Sequence, residues 1–129
     1  MTKVQHAPPG PPTSHRLFAA EGPGLLEHQR RFGALPTSAG KTLVTSLDQS
    51  GLTGRGGAGF PTGRKIASVT GRKPVVIGNG AEGEPLSHKD AVLLTQAPHL
   101  VLDGLNVAAA AASADKVVIY AQARVISTV

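Results

Sequence analysis

The chain has 129 residues, with 13 Lys and Arg against 8 Asp and Glu, 16 glycines, 10 prolines and no cysteine. That length suits one domain, and the missing cysteine excludes a disulfide framework, a thiol nucleophile, cysteine-ligated zinc and any iron–sulfur cluster held by this chain's own thiolates. No apolar run reaches the roughly 18–20 residues of a membrane span, and no charged start leads into an apolar leader, so a soluble, cytoplasmic chain without direct membrane insertion is expected.

Taken in order, residues 1–22 read as a flexible, partly polyproline arm, because His6–Pro12 offers few donors and few apolar side chains. Residues 23–129 then form the folded part. Within Gly24–Gly33, Leu25, Leu26 and Phe32 fit one side of two short helical turns, with Gly33 as the stop. Lys41–Gln49 places Leu43, Val44 and Leu47 on one helical stripe, ended by Ser50-Gly51. Lys73–Ile77 and Lys116–Ala121 are short β-branched runs suited to buried strands. Between them, Pro98 can open a helix whose packed stripe is Val101, Leu105, Ala108 and Ala112, with Asp103, Asn106 and Ser113 on the opposite face. Strand, helix and strand make a βαβ unit with a parallel pair and a right-handed crossover. The fold class is α/β.

Ten of the sixteen glycines lie between Gly51 and Gly83. Six of them, Gly51, Gly54, Gly56, Gly57, Gly59 and Gly63, fall in the segment Gly51–Gly63. Such a backbone can approach a ligand closely and present successive N–H groups to anionic oxygens. Pro61 and Thr62 offer a helix start, with Thr62 as an N-cap and Arg64 and Lys65 in the first turn. Residues 51–73 hold Arg55, Arg64, Lys65, Arg72 and Lys73 and no acid. Glycine density and positive charge coincide, which points to phosphate; a solvated loop is the alternative.

Two familiar signatures are rejected. Gly54–Gly59 satisfies G-x-G-x-x-G literally, yet Leu47–Leu52 before it does not read as a strand. Leu35–Thr42 ends like a P-loop, but Leu35 stands where the first glycine belongs and no strand precedes it. A second cluster, Ile77–Pro85, follows the first strand directly. The carboxyl end of a strand is the usual ligand crevice in open α/β sheets, and Asn79, Glu82 and Glu84 there suit a heterocycle or amide. A surface turn rich in Gly and Glu is the alternative.

Together the clusters resemble one family. Ser50–Gly63, Lys65, Asn79, Glu82-Gly-Glu-Pro85, Lys89-Asp90 and Pro98-His-Leu100 are similar to the flavoprotein subunit of respiratory complex I. This is the 51-kDa, NADH-binding subunit type, shared with NAD-linked formate dehydrogenases and hydrogenases. The resemblance runs from about Ser50 to Tyr120 and covers the first part of the family's length. It implies an incomplete Rossmann-like FMN-binding domain with a βαβ unit and a Gly-rich phosphate loop. It also implies hydride acceptance from NADH and onward transfer of electrons to iron–sulfur centres, which must lie in a partner subunit or in sequence not present here. Carried over residue by residue, Gly54, Arg55, Gly56, Gly57 and Lys65 would line FMN, with Asn79 nearby and Phe60 stacked on the nicotinamide nucleotide. Glu82 and Glu84, the candidate catalytic residues, would sit beside flavin and nicotinamide, where the cofactor carries the hydride chemistry and the protein sets orientation and electrostatics.

Several positions depart from the family's pattern. Ala81 stands where the family has Asp, Ile66 where an aromatic follows the loop Lys, and Leu86-Ser-His-Lys-Asp90 where Gly-Thr-Phe-Lys-Asp is usual. After the second strand, Gln122-Ala-Arg-Val replaces Arg-Gly-Glu-Tyr. These changes fit either a truncated portion of a larger flavoprotein, peripheral to a membrane complex, or a divergent relative. A phosphate- or nucleotide-binding module without redox turnover is the competing class. Nucleic acid is not an expected partner, because the basic residues lack an aromatic stacking platform. The five histidines lack metal-ligand spacing.

Overall fold

Glycines at positive φ stop the first two helices. In the structure, a computed structural model that describes residues 16–55 and 58–126, α1 spans Leu25–Phe32 and ends where Gly33 turns to φ 79°. The next helix, α2, spans Ala39–Ser50, and Gly51 follows at φ 63°. There the Leu52 N–H donates to Leu47 O and the Gly51 N–H to Asp48 O, closing a Schellman motif. A six-residue helix, α3, covers Thr62–Ala67. Thr62 is its first residue, Pro61 holds the cap position, and no side chain caps it. The expected N-cap role of Thr62 is therefore corrected: the proline's fixed φ sets the helix entry instead.

The first strand, β1, runs Val75–Gly80, three residues further than the apolar run alone suggests. Two helices follow: α4 at Lys89–Gln96, which apolar periodicity does not announce, and α5 at Pro98–Ala111 with Pro98 in its first turn. The second strand, β2, is Lys116–Ala121, and α6 closes the described chain at Ala123–Ile126. β1 and β2 pair in parallel, from Val75 opposite Lys116 to Gly80 opposite Ala121. The expected βαβ unit is present, with a two-helix crossover. The result is a mixed α/β architecture with a small parallel sheet.

α5 is the hub, in contact with α1, α2, α3, α4 and both strands. Glycines permit the close approaches. A methyl group on Gly40 of α2 would overlap the Ala110 side chain of α5 and lie 3.1 Å from the Ala110 and Ala111 backbone. On the sheet, a Cβ at Gly78 would meet Leu105 at 2.9 Å, and one at Gly80 would meet Leu94 at 2.7 Å. Leu94, Ala97, Pro98, Ala109 and Val125 are the buried apolar side chains among the described residues. The expectation for α1 needs correcting. Leu25 and Leu26 are exposed, and the buried residue is His28, whose Nε2 lies 2.9 Å from Asp103 Oδ2 on α5. Asp103 is half-buried rather than on a solvent face, because α1 lies over that side of α5. The Phe32 and His99 rings flank His28 at centroid distances of 5.1 and 5.5 Å.

Candidate functional site

The glycine-rich segment forms a loop with a closed neck. Thr53 and Pro61 make an isolated antiparallel bridge, the Gly54 N–H donates to Phe60 O at 3.0 Å, and the Thr62 N–H donates to Leu52 O at 2.9 Å. These bonds pin both ends of the loop to the end of α2 and the start of α3. Gly59 sits at φ 55°, a left-handed position that glycine occupies without Cβ strain. Gly56 and Gly57, two of the expected cofactor residues, lie outside the described residues. Arg55 and Lys65 are exposed, and Phe60 keeps 54% of its surface accessible. Arg55, Arg64, Lys65, Arg72 and Lys73 make no ion pair among the described residues. Gly63 serves packing, since a Cβ there would collide with the Asp48 carboxylate and lie 3.1 Å from Val44 O on α2.

The second cluster lies at the carboxyl end of β1. Asn79 Oδ1 accepts the Ala81 N–H at 3.1 Å, a local turn that ends the strand. Glu82 then reaches the start of α4. Its Oε1 accepts from Lys89 Nζ at 2.6 Å, and its Oε2 accepts the Asp90 backbone N–H at 3.0 Å. Glu82 thus satisfies one of the donors that a helix N-terminus leaves unpaired. Lys89 also reaches Asp90 Oδ2 at 3.1 Å. The Lys89 hydrogen bond, and next the Asp90 N–H, hold the Glu82 carboxyl below its ordinary pKa. Glu82 and then Asp90 hold the Lys89 ammonium above its own. Glu82 is therefore braced as an anion against the Lys89 ammonium.

Beyond Gly80, a cleft of about 130 Å³ is lined by Glu82, Glu84, Ser87, His88, Gln122 and Arg124 among others. Small-molecule pockets usually hold roughly 300–1,000 Å³, so the cleft is the size of part of a ligand. Glu84 is exposed at its rim. Glu82 and Glu84 therefore line one cleft, and Asn79 lies just before it. Gly54, Arg55, Phe60 and Lys65 are on the separate glycine loop and α3. None of these four residues lines the carboxyl-end cleft.

Gln122 and Arg124 enter the cleft because parallel pairing brings the ends of β1 and β2 side by side. That signal was available in the sequence: whatever follows Ala121 must lie beside whatever follows Gly80. Ser87 and His88 were also missed as lining residues. Their place depends on α4 starting at Lys89, and no apolar stripe marks that start.

A glycine loop, a short helix and a parallel βαβ unit in this order match a known domain. The Nuo51 FMN-binding domain model matches residues 47–128, well over half of the chain. The chain belongs to the Nuo51 FMN-binding domain family. The second F-type chain of the NADH-quinone oxidoreductase of Rhizobium meliloti (strain 1021) is 32% identical over 121 residues, covering 92% of this chain and 28% of the relative. The alpha chain of the NAD-reducing hydrogenase HoxS of Cupriavidus necator is 42% identical over 81 residues, 60% of this chain and 14% of the relative. The C-type chain of an ion-translocating oxidoreductase complex of Vibrio cholerae is 40% identical over 67 residues, 52% of this chain and 9% of the relative. The chain thus spans less than a third of the length of each of these relatives. No helix among the described residues is long and apolar enough to cross a membrane.

Proposed function

We propose that this chain contributes the FMN- and NADH-binding portion of an NADH-oxidising flavoprotein, in a Rossmann-like arrangement whose electrons leave to iron–sulfur centres in a partner subunit or in sequence not present here. The observation that carries the reading is the polar cleft at the carboxyl end of a parallel βαβ unit, in a chain of the Nuo51 FMN-binding domain family. The donor set fits both ends of a flavin nucleotide. Arg55 and Lys65 are cations without an acid partner among the described residues, suited to phosphate, and the backbone of Gly54, Gly56 and Gly57 would add N–H donors. Asn79, Glu82 and Glu84 offer the acceptors that a heterocycle or a nicotinamide amide requires. Phe60 presents an exposed ring for stacking on the dinucleotide.

When bound, FMN would supply the hydride acceptance and the one-electron release. The chain's own residues bind, orient and set the field. Lys89 and the Asp90 N–H hold the Glu82 carboxylate, so Glu82 acts as a fixed negative charge. Glu84 is the more accessible acceptor. A second reading, a phosphate or nucleotide binder without turnover, draws on Gly54, Arg55, Phe60 and Lys65 lying outside the lining of the carboxyl-end cleft. Titrating the purified chain with FMN and then NADH separates the two. A perturbed flavin spectrum that NADH bleaches supports the dehydrogenase reading, and bound FMN that NADH leaves coloured supports the binder. Absence of both flavin and nucleotide binding would sink both readings.

A further inference from the structure

At the neck of the glycine loop lies a cavity that the flavin reading does not use. It holds about 380 Å³ and is lined by Leu47, Asp48, Leu52, Thr53, Pro61 and Arg64 among others. That volume falls within the roughly 300–1,000 Å³ of small-molecule pockets. The neck bonds fix its walls, since Thr53 pairs with Pro61 and the Thr62 N–H donates to Leu52 O at 2.9 Å. Leu47, Leu52 and Pro61 give the lining apolar surface, and Asp48 and Arg64 give it one charge of each sign. Both charged residues are exposed, and they make no ion pair with each other or with any described residue.

Asp48 is out of place as a helix residue. It lies in the last turn of α2, which holds no basic residue, and the helix dipole disfavours a carboxylate there. Gly63 nevertheless makes room for it, since a Cβ at that position would collide with the Asp48 carboxylate. A carboxylate is the group that takes the hydroxyls of a ribose, as it does in dinucleotide folds. A guanidinium is the matching group for a phosphate, and the apolar surface suits the face of a base. An amino acid would also offer one charge of each sign, and the local charge decides between the two. Residues 51–73 hold Arg55, Arg64, Lys65, Arg72 and Lys73 and no acid, which favours a ligand of net negative charge. We propose that this cavity binds a ribonucleoside monophosphate group, with Asp48 accepting from the ribose hydroxyls and Arg64 donating to the phosphate. A free nucleotide and the adenylate end of a dinucleotide present the same diol and phosphate. None of the lining residues belongs to the proposed flavin site, so FMN binding does not enter the test.

The test titrates the full-length protein by calorimetry with AMP, with dideoxy-AMP, which lacks both ribose hydroxyls, and with adenosine, which lacks the phosphate. Asp48→Ala should weaken AMP about tenfold and leave dideoxy-AMP unweakened, the scale of a hydrogen bond to a charged group. Arg64→Gln should weaken AMP by about the same tenfold and leave adenosine unchanged. The ligand that each variant retains shows that its cavity still forms. Lys65→Ala, in the proposed flavin site, should leave AMP affinity as in the parent. Competition then names the source. NADH that displaces AMP, and weakens by the same factor in Asp48→Ala, identifies the end of a dinucleotide; AMP that stays bound under saturating NADH identifies a free nucleotide. Absence of AMP binding would overturn the proposal. So would equal losses of AMP and dideoxy-AMP in Asp48→Ala, or of AMP and adenosine in Arg64→Gln. A loss of AMP in Lys65→Ala would overturn it too, by placing the phosphate in the glycine loop.

Discussion

Two site residues make opposite demands on experiment. Glu82 is already engaged by Lys89 and by the α4 N-terminus. Because its folded pKa is lowered, its contribution to stability is fully present above the unfolded carboxylate range and is lost as pH falls through the lower, folded value. Lys89 is raised, so its contribution is present below the ordinary lysine range and is lost only at more alkaline pH, as the higher folded value is passed. Urea unfolding should therefore find Glu82→Gln less stable than the parent by a constant margin near neutrality. The margin should close below about pH 4, where the unfolded carboxylate takes its proton. Equal margins at pH 3 and pH 7 would contradict the structure. Lys65, by contrast, is exposed and has no acid partner among the described residues, so Lys65→Ala should leave stability within about 0.5 kcal/mol of the parent. The same variant should weaken FMN binding about tenfold, the usual scale of one charge-assisted phosphate contact. Flavin fluorescence titration measures it, and unchanged affinity would remove Lys65 from the proposed site.

At the scale of elements, the helix ends make a natural comparison. α2 and α5 finish with the same hydrogen-bond pattern, since the Ala114 N–H donates to Ala109 O at 2.8 Å just as Leu52 does to Leu47. In α2 the left-handed position is Gly51, whereas in α5 it is Ser113 at φ 53°, which pays the Cβ penalty. Ser113→Gly should accordingly stabilise the chain by about 0.5–1 kcal/mol in urea unfolding, and a loss would show that the αL geometry is wrong. Gly40→Ala should act in the opposite direction, costing about 1–3 kcal/mol as α2 is forced off Ala110. The α1–α5 contact rests on His28 and Asp103. Removing the ring in His28→Ala leaves a half-buried carboxylate without its partner, so a loss of about 1–3 kcal/mol is expected, against little change for exposed Leu26→Ala. Sequence made some of these elements readable and hid others. β2 and α5 were legible because a β-branched run and a Pro-initiated apolar stripe are strong local signals. α4 was hidden because Lys89–Gln96 is anchored by Glu82 from outside the helix. The role of His28 was hidden because its partner is 75 positions away. For the site, parallel pairing made the carboxyl-end cleft predictable, while Arg124 beside it followed from the same logic and was missed.

For the whole molecule, the balance of buried and open surface sets the behaviour of the isolated chain. Leu94 and Val125 are the large aliphatic side chains buried among the described residues, and the other buried apolar side chains there are Ala97, Pro98 and Ala109. Leu25, Leu26, Val75, Ile77, Phe60 and Tyr120 are among the large apolar side chains left exposed. Both strands of a two-stranded sheet have an open edge, and such a sheet needs further strands or helices for stability of its own. The area exposed on unfolding, and with it the urea m-value, must therefore be small for a chain of this length. An m-value close to about 1 kcal/mol per molar urea is expected, at the low end of the usual range of about 1–3. The outer sheet face, which carries exposed Ile77 and Tyr120, should also bind the hydrophobic dye ANS in the native state, and Ile77→Lys should reduce that signal without lowering stability, since Ile77 contributes little to the core. An m-value above about 2, or ANS fluorescence that Ile77→Lys leaves unchanged, would mean that the outer sheet face is covered within the chain itself.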